Sequence, residues 1–315
     1  MKKPSKPKYH LRNWPEYNAS LKARGSLTFW LEEDLLKSWE DTTRTGKRGK
    51  PRFYADHVIG LVSTLGSIYS LAGRQATGLL ESLLALMRID LPVPDHSTVS
   101  RRLGKLTIEL DVKPSQQARH VVVDSTGIKV YGEGEWKTRQ HGIGKRRTWR
   151  KLHLAVDESS GEILTGVVST NDVHDSEVLG DLLEGVQEPI RQVSADGAYD
   201  KRSCYQVIAG HQARAVIPPR KDAKIWQHGN TDAPALARDE NLRAIRKHGR
   251  AKWKQDSDYH RRSLSETAMY RIKTIFGGRV KARCFDNQAA ELFLQCQALN
   301  KMIQLCKPES YRVAA

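Results

Sequence analysis

Between residues 120 and 217 the chain is built of short apolar blocks and of apolar residues at every second position, whereas helical spacing prevails before and after. His120-Val-Val-Val123 is an apolar run that ends in Asp124 and is followed by Gly127. It predicts a strand buried on both faces with a turn at its end. Gln192-Val-Ser-Ala195, before Asp196-Gly-Ala-Tyr-Asp200, repeats the design. Between the two, residues 149–156 and 163–169 alternate apolar and polar around Asp157-Glu-Ser-Ser-Gly161, which predicts a hairpin. Residues 175–186 carry a helical period with Asp175 or Ser176 as the cap. A helix over 201–209 and a short strand over 213–217, closed by Pro218-Pro219, follow. One helix through Glu266 and another over 287–305 complete the series, and this order predicts an α/β fold, a mixed sheet with helices on its faces.

Residues 1–118 are expected to form a separate, all-helical region, with a second region over 119–315. The tail Met1 to Arg12 is basic and expected to be mobile. Pro15 opens a first helix, Ser26 or Thr28 caps a second that runs to Trp39, and Arg44 to Arg52 is a Gly, Lys and Arg linker. Phe53 to Tyr69 and Ala72 to Arg88 read as packed helices, and Pro92-Val-Pro94 breaks the chain before a helix from Ser97 to Leu106. Ser97 is placed to cap it, with Arg101, Arg102 and Lys105 on its exposed side and Val99, Leu103 and Leu106 inward. Residues 72–106 thus form a helix-turn-helix candidate, with Ser97, Arg101, Arg102 and Lys105 as its DNA contacts. A small helical bundle with a basic surface is the plainer reading.

The sharpest chemical signal lies further on. On a helical wheel Tyr259, Arg262, Glu266 and Lys273 fall on one side, while Leu264, Ala268, Ile272 and Ile275 collect on the other. A solvated charged face has the same appearance, so the stripe needs partners, and Asp124 and Asp196 at the ends of two buried strands supply them. Three carboxylates that converge on one cleft repel each other and call for a cation. Their oxygens suit Mg²⁺, with Mn²⁺ as a substitute. Two such ions support in-line displacement at a phosphodiester. Cys204, Cys284, Cys296 and Cys306 show no close pairing, and no His pair has zinc-like spacing.

Charge points the same way: over 315 residues the net charge is +16, the profile of a polyanion binder. Seven basic residues and no acid lie in 137–151, among them Arg147 and Arg150, with Trp136 and Trp149 close by. Six basic residues and no acid lie in 241–255, with Trp253 among them. These tryptophans either stack on unpaired bases or pack in the core. No signal-like apolar segment opens the chain and the stretch 58–71 is interrupted by Ser, Thr and Gly, so neither export nor a membrane span is expected. Unpaired cysteines fit a reducing cytosol.

Tyr259, Arg262, Glu266 and Lys273 at these spacings resemble the signature around the last acid of bacterial DDE transposases. The chain as a whole is similar to the transposases of the insertion sequence 5 family. The resemblance rests on Asn13-Trp-Pro-Glu-Tyr-Asn18, Arg24-Gly-Ser-Leu-Thr-Phe-Trp30, Asp124-Ser-Thr-Gly127, Trp149-Arg-Lys-Leu-His153, Asn171-Asp-Val-His-Asp175 and Asp196-Gly-Ala-Tyr-Asp200. It implies an RNase H-like catalytic domain, Asp124, Asp196 and Glu266 as the metal-binding acids, and Tyr259, Arg262 and Lys273 in support of DNA or of the third acid. It further implies a cytoplasmic, nucleoid-associated enzyme that acts on terminal inverted repeats and target DNA as a homodimer or larger assembly. The 69 residues from 197 to 265 leave no room for a separate insertion domain between the second and third acids. A hydrolytic nuclease of the same fold, such as a junction resolvase, would share the acids; a non-mobile DNA-binding regulator would share the basic faces.

Overall fold

The computed structural model describes residues 8–42, 52–130, 149–228 and 234–313. The first seven residues, nearly all of the expected linker at 44–52, and most of the basic segment at 137–151 with Trp136 and Arg147 lie outside the described residues. Strand β1 (Lys8–Leu11) comes first, followed by helices α1 (Trp14–Ala23), α2 (Leu27–Trp30), α3 (Glu33–Lys37), α4 (Asp56–Ile68), α5 (Gly73–Leu86) and α6 (His96–Leu103). Then come β2 (Arg119–Val130), β3 (Trp149–Asp157), β4 (Ile163–Thr170), α7 (Leu179–Glu184), β5 (Ile190–Ser194), α8 (Arg202–Gly210) and β6 (Arg214–Val216). Helices α9 (Ala237–His248), α10 (Arg250–Asp256) and α11 (Ser263–Phe276), the short β7 (Arg279–Val280), α12 (Phe285–Leu305) and β8 (Ser310–Val313) finish the chain.

The main sheet has the order β4-β3-β2-β5-β6, with β7 also on β2. β2, β3 and β4 are antiparallel neighbours, whereas β5 and β7 run parallel to β2 and β6 parallel to β5. The expected mixed sheet is therefore present, and helices cover both faces. Side-chain alternation divides its residues between two apolar clusters. Val121, Val123 and Ala155 pack on α7 and α8 through Leu179, Leu182 and Ile208. Ile128, Leu152 and Leu154 pack on α11 and α12, and the same cluster continues into α4 and α5 through Val58, Leu65 and Leu80. One core thus runs across residue 118. Ile272 on α11 and Leu292 and Leu299 on α12 are at most 1 % exposed, and each contributes about 2 kcal/mol by leaving water.

Several local expectations are corrected. The first 118 residues are not wholly helical, because β1 pairs antiparallel with β8 and ties the two ends of the described chain together. The helix expected from Ser26 to Trp39 breaks into α2 and α3 where Trp30 and Leu31 turn into the core. Likewise, 175–186 divides into a 3-10 turn at Asp175–Glu177 and α7. Nor does β2 end at Asp124. The β3 ladder holds it extended from Val121 to Lys129, and Gly127 serves close approach rather than a turn, since a Cβ there would lie 3.2 Å from the Trp149 ring.

Candidate active site

Two parallel strands bring the first two acids together. β2 and β5 are in register at Val122 and Ser194, and Asp124 and Asp196 each stand two residues beyond that pair. Asp124 faces Leu154 across the β3 ladder, and Leu154 belongs to the cluster beneath α11. Asp196 continues β5 in extended conformation (φ −79°, ψ −179°). Its neighbours Val193 and Ala195 pack on the other face, so alternation turns Asp196 to the α11 side as well. β5 ends at Ser194 and β7 meets β2 only at Lys129 and Val130. The stretch of β2 between these contacts has β3 along one edge and no strand on the other edge among the described residues. This gap beyond the carboxyl end of β5, beside β2, is where an α/β sheet presents a ligand site.

The third acid arrives on α11. Arg262 Nη1 donates to Asp124 Oδ2 at 2.7 Å, and its Nη2 donates to Glu266 Oε1. One guanidinium thus bridges the first and third acids. Asp124 Oδ1 accepts from the Ser125 N–H at 2.9 Å, and Asp196 Oδ1 accepts from the Ala198 N–H at 2.9 Å. Burial pushes the Asp124 carboxyl above its ordinary range; Ser125 and Arg262 oppose this, while Asp196 and Glu266 add to it. The Tyr259 phenol is likewise raised, chiefly by burial, with Asp196 and Asp124 adding and Arg262 opposing. Its ring lies 5.9 Å from the Arg262 guanidinium and 5.2 Å from Lys254 Nζ. Tyr199, fully buried, is also held neutral by burial and by Asp175, Asp124 and Asp196.

A frame of residues that the sequence reading missed sets this geometry. Ser265 Oγ donates to the Arg262 carbonyl at 2.8 Å and lies 3.5 Å from Asp124 Oδ2. Gln192 Nε2 donates to the Ser257 carbonyl at 3.1 Å, and Arg261 pairs with Glu158, so the start of α11 is pinned to the sheet from two sides. Asp200 ends the loop that carries Asp196 and forms a buried pair with Arg238 on α9 at 2.9 Å. The repeated acid in Asp196-Gly-Ala-Tyr-Asp200 was the one available hint. Tyr259–Arg262 forms a 3-10 turn after Asp258 at φ 56°, and α11 begins only at Ser263. The single helical wheel drawn from Tyr259 therefore does not apply. The buried stripe of α11 is Ser265, Ala268, Met269, Ile272 and Phe276.

Thus Asp124, Asp196, Glu266, Arg262 and Tyr259 gather at one place. Lys273 does not join them; it lies exposed two turns along α11. In α6 the cap is Asp95, whose Oδ1 accepts from the Ser97 N–H, not Ser97 itself. Ser97, Arg101 and Lys105 are exposed, but Arg102 turns inward to the Tyr54 carbonyl at 2.5 Å and to Asp56. Nine residues, 87 to 95, separate α5 from α6, a longer connection than the three or four residues of a tight helix-turn-helix. Arg150 Nε donates to Gln288 Oε1 at 2.7 Å, at the start of α12. No described helix is long and apolar enough to cross a membrane.

Among the described residues, no three His, Cys, Asp or Glu side chains close into a cluster able to hold a metal ion. Here Arg262 stands between Asp124 and Glu266. The donor chemistry nevertheless suits a hard cation, because the donors are carboxylate oxygens and two of them already share a positive group. A family model described as a transposase DDE domain matches residues 115–301, more than half of the chain, and a second of that description matches residues 22–133. The cryo-EM structure of a piggyBac transposase synaptic complex with hairpin DNA is similar at 10 % identity and a TM-score of 0.42, over 90 % of this chain and 74 % of that one.

Proposed function

The chain belongs to the DDE transposases, and on that premise we propose that it binds the terminal inverted repeats of an insertion sequence of the insertion sequence 5 type and catalyses metal-dependent strand cleavage and strand transfer. The observation that carries the reading is the placement of Asp124 within β2 and Asp196 just past the end of β5, its parallel neighbour, with Glu266 joined to Asp124 through Arg262. Asp124, Asp196 and Glu266 are the residues that would hold Mg²⁺ or Mn²⁺ in an RNase H-like domain over 119–315. When bound, such ions supply activation of a water or 3′-hydroxyl and stabilisation of the leaving oxygen.

The remaining chemistry belongs to the chain's own side chains. Arg262 balances the charge of the acid group while no other cation is present and keeps the Glu266 side of α11 turned to the strands. Tyr259, neutral and packed between Arg262 and Trp253 (ring centroids 5.7 Å), shields that arrangement from solvent. Lys254 and Lys273 lie where a DNA strand leaving the acids would meet positive charge, and the region 1–118 reads the DNA end with the exposed side of α6. Two DNA ends must be brought together, so the acting form is a homodimer or larger assembly on DNA, in a bacterial cytoplasm and close to the nucleoid.

The decisive experiment incubates purified protein with Mg²⁺ and labelled fragments of the DNA that flanks its coding region. Wild type nicks at defined ends and joins them to a target, while Asp196→Ala does neither. Cleavage that persists in Asp196→Ala would sink the assignment, and hydrolysis without joining would make the protein a nuclease of the same fold.

A further inference from the structure

Away from the acids, a groove of about 540 Å³ lies between the turn from α4 to α5, helix α6 and the corner that joins β7 to α12. Arg74 on one wall and Arg283 on another are exposed, and neither guanidinium has a partner among the described residues. His96 stands at the start of α6, its Nδ1 3.1 Å from Asp95 Oδ2. The wall behind them is closed by Lys281, whose Nζ donates to the Gly66 and Leu71 carbonyls at 3.2 and 3.0 Å. The one carboxylate lining the groove, Glu291, is 5 % exposed and accepts from the Lys281 and Ala282 N–H groups at 3.0 to 3.1 Å. Its charge is directed into the protein. Asp95, next to His96, caps α6 through Oδ1 and pairs through Oδ2 with the His96 ring. The Arg74 and Arg283 guanidiniums therefore give the groove positive charge on two of its walls.

The groove is also rigid and built from both regions of the chain. Asn287 in the first turns of α12 donates to the Ser100 carbonyl at 2.8 Å and accepts from the Gly104 N–H at 2.7 Å, which fixes the end of α6 on α12. Gln288 holds the corner itself, donating to the Ala282 and Arg283 carbonyls at 3.0 and 3.2 Å while it accepts from Arg150. β7, just before the corner, pairs with β2 at Lys129, five residues beyond Asp124.

We propose that this groove seats the sugar-phosphate backbone of the DNA on which the enzyme acts, with Arg74 and Arg283 each neutralising a phosphate. The inference rests on the DNA-processing reading above and adds the place where the duplex is gripped. Because α6 and the corner are locked together, a backbone held here lies at a set distance from Asp124, so the grip also fixes where the strand is cut.

Two measurements on the full chain test this. Fluorescence anisotropy with a labelled duplex of the flanking DNA, over a range of salt concentrations, compares wild type with Arg74→Ala/Arg283→Ala. The variant should bind more weakly, and its slope of log affinity against log salt should be shallower by about 0.9 for each phosphate that is no longer neutralised. In wild type, maleimide labelling of Cys284, which is exposed and lines the groove, should slow several-fold when the duplex is bound. Cys306, about 30 Å away beyond the far end of α12, should label at an unchanged rate, and Cys204 and Cys296 are buried. An unaltered slope in the double variant, or an unprotected Cys284, overturns the proposal. If wild type still nicks its flanking DNA in that case, the transposase reading survives; a wild type that neither binds nor nicks the DNA removes both.

Discussion

Burial at the sheet opposes ionisation of Asp124. Its carboxyl is raised by burial and by two like charges, so the native state favours the protonated form more than the unfolded chain does. As pH rises through the ordinary value of 3.8 the unfolded chain releases this proton first, and native stability falls until the native carboxyl has also ionised; it is level thereafter. Asp124→Asn should therefore abolish nicking and yet raise the melting temperature in metal-free buffer at neutral pH. That gain should vanish below about pH 3.8, as thermal unfolding at both pH values would reveal. Arg262→Ala has the opposite effect, since it leaves Asp124 without its cation. It should lower metal-free stability by about 2 kcal/mol, and calorimetric titration should still detect Mn²⁺ binding at the acids. The acids themselves were legible because each stands at a recognisable place beside an apolar run. Ser265 and Gln192 were not, since a lone Ser or Gln acquires meaning only from the atom it meets.

Helices and strands show where periodicity suffices and where it does not. β3, β4, β5, α8 and α12 match their sequence patterns closely, because each buries one continuous face or block. The 3-10 turn at Tyr259–Arg262 is not legible in the sequence because its cause is the left-handed backbone at Asp258, φ 56°, which breaks the wheel. Loops that carry site residues depend on distant helices. The loop holding Asp196 is tied through Asp200 to Arg238 on α9, with side chains 2 % and 5 % exposed. Arg238→Ala would strand a buried carboxylate and should cost about 3 to 5 kcal/mol in chemical denaturation, with strand nicking lost in parallel. At the other helix junction, Gly104→Ala places a Cβ 2.5 Å from Asn287 Oδ1. It should destabilise the protein by about 1 to 3 kcal/mol and loosen α6 from α12.

Over the entire chain, charge and buried histidines govern behaviour in solution. With a net charge of +16, affinity for duplex DNA should fall by about a thousandfold or more between about 50 and 200 mM salt if six or more phosphates are contacted. His120 and His153 are 4 % and 0 % exposed, and burial lowers the pKa of both. Below the ordinary value of 6.5 the unfolded chain takes up these protons before the native state does, so stability should drop as pH falls from about 7 toward about 5. Urea midpoints would show this, and His153→Gln should flatten the drop. The order of strands and helices, the basic balance and the acids at the ends of apolar runs could all be read in one dimension, because local periodicity and composition are properties of neighbours along the chain. Register was not of that kind. That Asp124 and Asp196 point to one face, that Arg262 joins Asp124 to Glu266, and that α6 shares a wall with the β7–α12 corner all follow from contacts between segments remote in the chain. Such contacts exist only once burial of the common core has brought those segments together.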